Sequence, residues 1–194
     1  MTHQSDRFAP TEAVSLAEEN AFLRAALADA QRRIDELEAM AEADPLTGLA
    51  NARRFAHEVE RAVGRATRQN TPAALVSFDL RNVEAIAQRH GRAVADAALA
   101  HLARTLSSLI RATDQLARVG DTEFGLLLDH LDPDSAIETS ERLERCIART
   151  PLDLGNSRVA LELVMATTGI MPGDAAAGVL ERAARNIESA RERA

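Results

Sequence analysis

The residues best suited to chemistry lie in Arg118-Val119-Gly120-Asp121-Thr122-Glu123-Phe124. Leu116 and Val119 precede a Gly-Asp pair, and Phe124, Leu126 and Leu128 alternate after it. Gly accepts positive φ without cost and Asp tolerates it better than most, so the pair signals a turn between two strands. A hairpin tip that carries acids and arginines is a place for chemistry or recognition. Residues 74–80 form a short apolar run that reads as a buried central strand, with Asp79 at its end on the rim of the sheet. Arg111 and Asp114 stand three apart at the end of a helical run. At that spacing they can form a helix-end ion pair worth roughly a few tenths of a kcal/mol, or jointly offer a guanidinium and a carboxylate to a ligand. The spacing recurs at Arg32-Asp35 and Arg118-Asp121, so it does not choose by itself.

Composition narrows the classes. A chain of 194 residues with 46% apolar and 27% charged residues fits a soluble protein of one domain plus an extension. No apolar run reaches the roughly 18 residues of a membrane span. The N-terminus lacks a basic-then-apolar export signal, so a cytoplasmic location is expected. The single cysteine, Cys146, rules out an internal disulfide framework and lies in a helical pattern, as a core residue would. Every basic side chain is Arg, so a Gly-Lys-Ser phosphate loop is absent. Net charge is −7, with no Trp or Tyr and five Phe. Nucleic-acid binding, which needs a basic face or stacking platforms, is not expected. His57, His90, His101 and His130 show no metal spacing, and no Ser-His-Asp or Cys-His arrangement emerges.

The elements that position these residues follow in order. Residues 1–10 are polar and irregular, and 11–43 are helical. Leu16, Leu23, Ala30 and Leu37 take d positions of a heptad, and Asn20, Leu27, Ile34 and Ala41 take a positions. Such a seam predicts a coiled coil, and an Asn at one a position favours a parallel, in-register homodimer. The alternative is an amphipathic helix packed on its own domain. Pro45 and Gly48 break the helix, and another follows with Phe55, Val59, Ala62 and Val63 on one face. Residues 83–110 are helical with an interruption at His90-Gly91, and 134–149 form a helix with Ile137, Leu143 and Ile147 inward. Val159, Leu161, Leu163 and Met165 alternate as a strand. Val179, Leu180, Ala183, Ile187 and Ala190 mark a last helix. From residue 74 the order β-α-β-β-α-β-α predicts an α+β fold. Its core is a ferredoxin-like antiparallel sheet with helices on one face, elaborated at both ends.

Two stretches resemble the GGDEF family, the diguanylate cyclases, which join two GTP into cyclic di-GMP. Asp44, Leu46, Thr47, Gly48, Leu49, Asn51, Arg53 and Phe55 match the family's opening, with Ala52 in place of an Arg. The hairpin reads Gly120-Asp121-Thr122-Glu123-Phe124 where the family has Gly-Gly-Asp/Glu-Glu-Phe. The resemblance implies a degenerate GGDEF domain over 44–194. In the family, carboxylates on the first strand and the hairpin hold Mg²⁺ against GTP phosphates, because a hard cation wants anionic oxygens. Asp79 supplies one of them, but the other falls on Thr122. Asp121 replaces a Gly that lets backbone approach phosphate, and Glu123 keeps its place without replacing the missing ligand. Glu84 stands for a phosphate-facing Lys and Ala87 for an Asn that bonds guanine. Asp96 remains, Arg191 matches a phosphate-contacting Lys, and Glu188 stands where Tyr is usual. The resemblance therefore implies a vestigial nucleotide site of Asp79, Asp96, Gly120 and Arg191, without cofactor, bound metal or catalytic residues.

Many family members also carry an inhibitory product site, Arg-x-x-Asp, five residues before the signature. Arg111 and Asp114 keep both motif and spacing. A guanidinium fork can grip a phosphate or the O6/N7 edge of guanine, and a carboxylate can accept from N1–H and N2–H. Arg118, Arg142 and Arg145 are candidates to complete the site. The expected function is a catalytically inactive domain that binds cyclic di-GMP and relays it to a protein partner through a coiled-coil dimer. The alternatives are a ligand-free interaction module and a weak diguanylate cyclase.

Overall fold

The structure, a computed structural model, describes residues 10–40, 42–155 and 157–194; within the first helix, side chains are described for residues 19–34 and 37. The irregular stretch expected at the N-terminus, the Leu16 side chain and Ala41 lie outside the described residues. The chain divides into two compact units, Met1–Ala41 and Glu42–Ala194.

The first unit contains, among the described residues, the helix α1 (Pro10–Met40). Phe22, Leu23, Leu27, Ile34 and Leu37 are exposed along it, as is Asn20. Four of these apolar residues belong to the expected seam, whereas Phe22 lies off it.

The second unit contains β1 (Ala50–Asn51), α2 (Ala52–Gln69), β2 (Ala73–Leu80), α3 (Val83–His90), α4 (Arg92–Leu109), β3 (Gln115–Arg118), β4 (Glu123–Asp129), α5 (Pro133–Ala148), β5 (Leu152–Asp153), β6 (Arg158–Val159), β7 (Leu163–Ile170) and α6 (Ala176–Arg193). Five strands form one sheet in the order β1-β3-β4-β2-β7. β2 is an interior strand, antiparallel to β4 and β7, with Asp79 opposite Glu123 on one side and Val164 on the other. β3 and β4 are the expected hairpin, and β1 runs parallel to β3. β5 and β6 form a separate two-stranded ladder.

Local chemistry explains the boundaries. Asn51 caps α2 by accepting from the Arg54 amide at 3.0 Å. Asp132 caps α5 by accepting from the Asp134 and Ser135 amides, with Pro133 in the first turn. Gly91, at φ +90°, separates α3 from α4 in a conformation that L side chains rarely adopt.

The sheet is covered on both faces. Val76 and Phe78 of β2 meet Leu102 and Leu106 of α4 and Leu143 of α5. Leu75 of β2 and Leu127 of β4 meet Phe55 and Val59 of α2 and Val179 of α6. The expected helices on one face are α3, α4 and α5; the added helices α2 and α6 cover the other. Two expectations are corrected. Ile137 is exposed, and α5 turns Ala136, Ser140, Leu143 and Ile147 inward, because only the four-three-four spacing stays on one side of a helix. The strand expected over 159–165 is two strands, β6 and β7, and β7 continues to Ile170. With helices on both faces, β7 has no simple inside-outside alternation to read.

Candidate functional site

Asp79 sits near the C-terminal end of β2 and is 7% exposed. The pairing of β2 with β4 brings the hairpin tip beside it, and the Thr122 hydroxyl donates to Asp79 Oδ1 at 2.6 Å. From the last turn of α6, Arg191 Nε donates to Asp79 Oδ2 at 2.8 Å. Its Nη1 meets Glu188 at 2.8 Å and its Nη2 meets Glu123. These carboxylates, Glu123 first, then Glu188 and Asp79, raise the Arg191 pKa above the usual arginine value against the opposing effect of burial.

Asp79, Thr122 and Arg191 open onto a cavity of about 510 Å³ that also meets Glu84, Ala87 and Asp96. Asp96 lies one helical turn from Arg92, at 3.4 Å. Arg118 joins this cavity from β3. It donates to the Asp121 carbonyl at 2.7 Å and to Asp44 Oδ2 at 3.1 Å. Burial pushes the Asp44 carboxyl up, but bonds from the Thr47 hydroxyl and amide, together with Arg118, hold it below the usual carboxylate range. The Asp121 carboxylate has no partner among the described residues. Gly120 lies in the turn, where a Cβ would press within 3.1 Å of the Glu123 carboxylate.

A divalent ion fits these residues poorly. Both Asp79 oxygens are already engaged, and Thr122 offers a neutral hydroxyl that points its proton at Asp79. Among the described residues no group of three or more His, Cys, Asp or Glu is arranged to hold a metal ion.

The second candidate site lies at the start of β3. Arg111, Asp114, Asp129, Thr139 and Arg142 line a cleft of about 40 Å³. The volume cannot enclose a nucleotide, so a ligand of that size would lie across its mouth. Asp114 and Arg111 are joined through the main chain: the Arg111 amide donates to Asp114 Oδ2 at 2.9 Å, and the Asp114 amide to the Arg111 carbonyl at 3.1 Å. The helix-end ion pair is thus replaced by a turn that fixes the carboxylate and leaves both exposed guanidinium groups, Arg111 and Arg142, without a partner among the described residues. Arg65 of α2 clamps Asp129 at 2.6 Å.

Two expected members of this site are placed elsewhere. Arg118 turns to the larger cavity because Asp44 and the Asp121 carbonyl take its guanidinium. Arg145 does not line the cleft and lies 3.8 Å from Glu141. Three relationships escape the sequence: Asp44 with Arg118, Arg65 with Asp129, and Arg191 with three carboxylates. Only Glu188 and Arg191, three apart on one helix, left a local signal.

A ferredoxin-like sheet whose interior strand β2 presents a carboxylate to a hairpin tip, over a cavity of about 510 Å³, has the architecture of a cyclase-type domain. Residues 41–194 match the family described as diguanylate cyclase, GGDEF domain, and the chain belongs to that family. It is 32% identical over 110 residues to the probable diguanylate cyclase DgcT of Escherichia coli (strain K12), covering 57% of this chain and 24% of that protein. The FimX GGDEF domain of Pseudomonas aeruginosa superposes with a TM-score of 0.74 at 26% identity, over 79% of this chain and 96% of that one. The coiled coil and GGDEF domain of DgcB from Caulobacter crescentus, solved with c-di-GMP, shares the fold with a TM-score of 0.72 at 20% identity, over 92% and 95% of the two chains. The chain spans 24%, 10% and 40% of the length of three curated relatives that it matches. No described helix is long and apolar enough to cross a membrane.

Proposed function

We propose that this domain is a catalytically inactive receptor for cyclic di-GMP. The observation that carries the reading is the cleft where Arg111, Asp114 and Arg142 meet, with two guanidinium groups that have no partner among the described residues beside an oriented carboxylate. The guanidinium groups suit phosphates or guanine O6/N7 edges, and the carboxylate suits guanine N1–H and N2–H. Inactivity is supported by Thr122, Glu84 and Ala87 lining the larger cavity. A neutral hydroxyl, a reversed charge and a missing guanine contact stand where phosphate and base would have to be held.

The exposed Leu23, Leu27, Ile34 and Leu37 of α1 support a second element of the proposal, a parallel homodimer through that helix. Fully burying a Leu or Ile contributes roughly 1.5–3 kcal/mol, so these layers, counted from two chains, can hold a modest dimer. Ligand bound at Arg111 would then bias how two domains are presented to a protein partner.

Calorimetric titration with cyclic di-GMP tests the receptor reading. The full chain should bind, Arg111→Ala should not, and Asp79→Ala should bind nearly as the parent does. No heat and no mobility shift at tens of micromolar ligand would leave the ligand-free interaction module in its place.

A further inference from the structure

We infer that Arg191 is an internal cation standing where a divalent metal would otherwise be needed, so that the end of β2, the hairpin tip and α6 are locked together without a metal ion. Each of its three nitrogens meets a different carboxylate: Nε meets Asp79, Nη1 meets Glu188, and Nη2 meets Glu123. The Thr122 hydroxyl fills the remaining Asp79 oxygen. A buried carboxylate such as Asp79 demands a compensating positive charge. A hard divalent ion would need these same oxygens, with water or further anionic groups to complete its shell. The guanidinium and the metal are therefore mutually exclusive occupants.

The differences from the family pattern fit this account together. The hairpin loses a carboxylate at Thr122, while α6 supplies one at Glu188, three residues before the arginine that it meets. Arginine suits the task because its planar fork stays charged and can serve several acceptors at once. A pair of β2 and α6 residues 112 positions apart thereby becomes a structural fastening. This inference stands apart from the Arg111 cleft, and neither depends on the other.

The test combines Mn²⁺ binding, read by electron paramagnetic resonance, with thermal unfolding of the full chain. The parent protein should take up no Mn²⁺ at millimolar concentration, and neither Mg²⁺ nor a chelator should shift its Tm. Arg191→Ala should lower the Tm, acquire Mn²⁺ binding and regain part of the lost Tm with Mn²⁺. Adding Asp79→Asn should abolish the gain. Mn²⁺ uptake by the parent that Asp79→Asn removes would overturn the inference, as would a folded Arg191→Ala that binds none. If Arg191→Ala does not fold, Arg191→Gln takes its place under the same criteria. Cyclic di-GMP binding should be unchanged in the folded Arg191 variant, so failure of one reading is visible without the other.

Discussion

The Thr122 hydroxyl donates to Asp79 Oδ1 across 2.6 Å, where the family pattern sets a second carboxylate beside the first. Two carboxylates there would need a cation between them, whereas a hydroxyl and a carboxylate satisfy each other. Incubation with GTP and Mg²⁺ should therefore yield no cyclic di-GMP by chromatography. Losing one transition-state stabiliser costs on the order of 10² to 10³ in rate, and the proposed inactivity rests on several such losses. The double change Asp121→Gly with Thr122→Asp should not restore turnover, because Glu84 and Ala87 still line the cavity. Clear turnover by the parent would refute inactivity.

Arg142 and Arg145 lie one turn apart on α5, yet only Arg142 lines the cleft with Arg111. Arg142→Ala should weaken cyclic di-GMP binding by at least about tenfold, the order expected when a charged hydrogen bond of roughly 1.5–3 kcal/mol is lost. Arg145→Ala should stay within a factor of about two, since its lost contact is an exposed pair. Calorimetry on both variants checks the contrast, and equal losses would place the ligand elsewhere on α5.

Leu27→Glu should turn the proposed dimer into a monomer. It sets a charge at an a position of the seam, where a buried layer is required. Light scattering at micromolar concentration reads the change, and a monomeric parent would end the coiled-coil proposal. Asn20→Leu should tighten association and loosen its register.

Acid should weaken the fold through Asp44 and Asp174. Asp174 is held below its ordinary value by the Arg182 side chain first, against burial, and Asp44 by the bonds described above. A folded-state pKa below the unfolded one means that the stabilisation is whole above the unfolded value and is lost as the pH falls through the folded one. Thermal stability should therefore decline below about pH 4. Asp174→Asn should flatten part of that decline; an unchanged acid limb would argue against its role.

A side chain at Gly125 would crowd Phe55. A Cβ there would lie 2.6 Å from the Phe55 ring. Gly125→Ala should destabilise by about 1–3 kcal/mol through overpacking, and adding Phe55→Leu should recover part of the loss. Chemical denaturation of both variants measures the coupling.

The sequence carried the parts of this fold that repeat along one face. Phe55, Val59, Ala62 and Val63 announced α2, and Gly91 announced the break between α3 and α4. Signals fail where both sides of an element are covered, as at β7, and where small or polar residues take the inward positions, as Ala136 and Ser140 do in place of Ile137. The candidate sites divide in the same way. Arg111 and Asp114 form a local pattern, whereas Arg142 is one of three arginines that the sequence offers beside them, and only the folded chain brings it, and not Arg118 or Arg145, to their cleft. The grip of Arg191 on Asp79, like that of Arg118 on Asp44, arises only when segments far apart in sequence close together, and no periodicity records it.

The interior position of β2 has a kinetic consequence. Its register partners begin at Glu123 on one side and Leu163 on the other. As the chain is synthesised, β2 emerges with both hydrogen-bonding edges bare and stays so until much later segments arrive. Non-local closure of this kind slows folding and prolongs exposure of apolar strand. Yield should therefore depend on how quickly the segment from β4 to β7 follows β2, and chaperone dependence should fall when translation through that segment is fast.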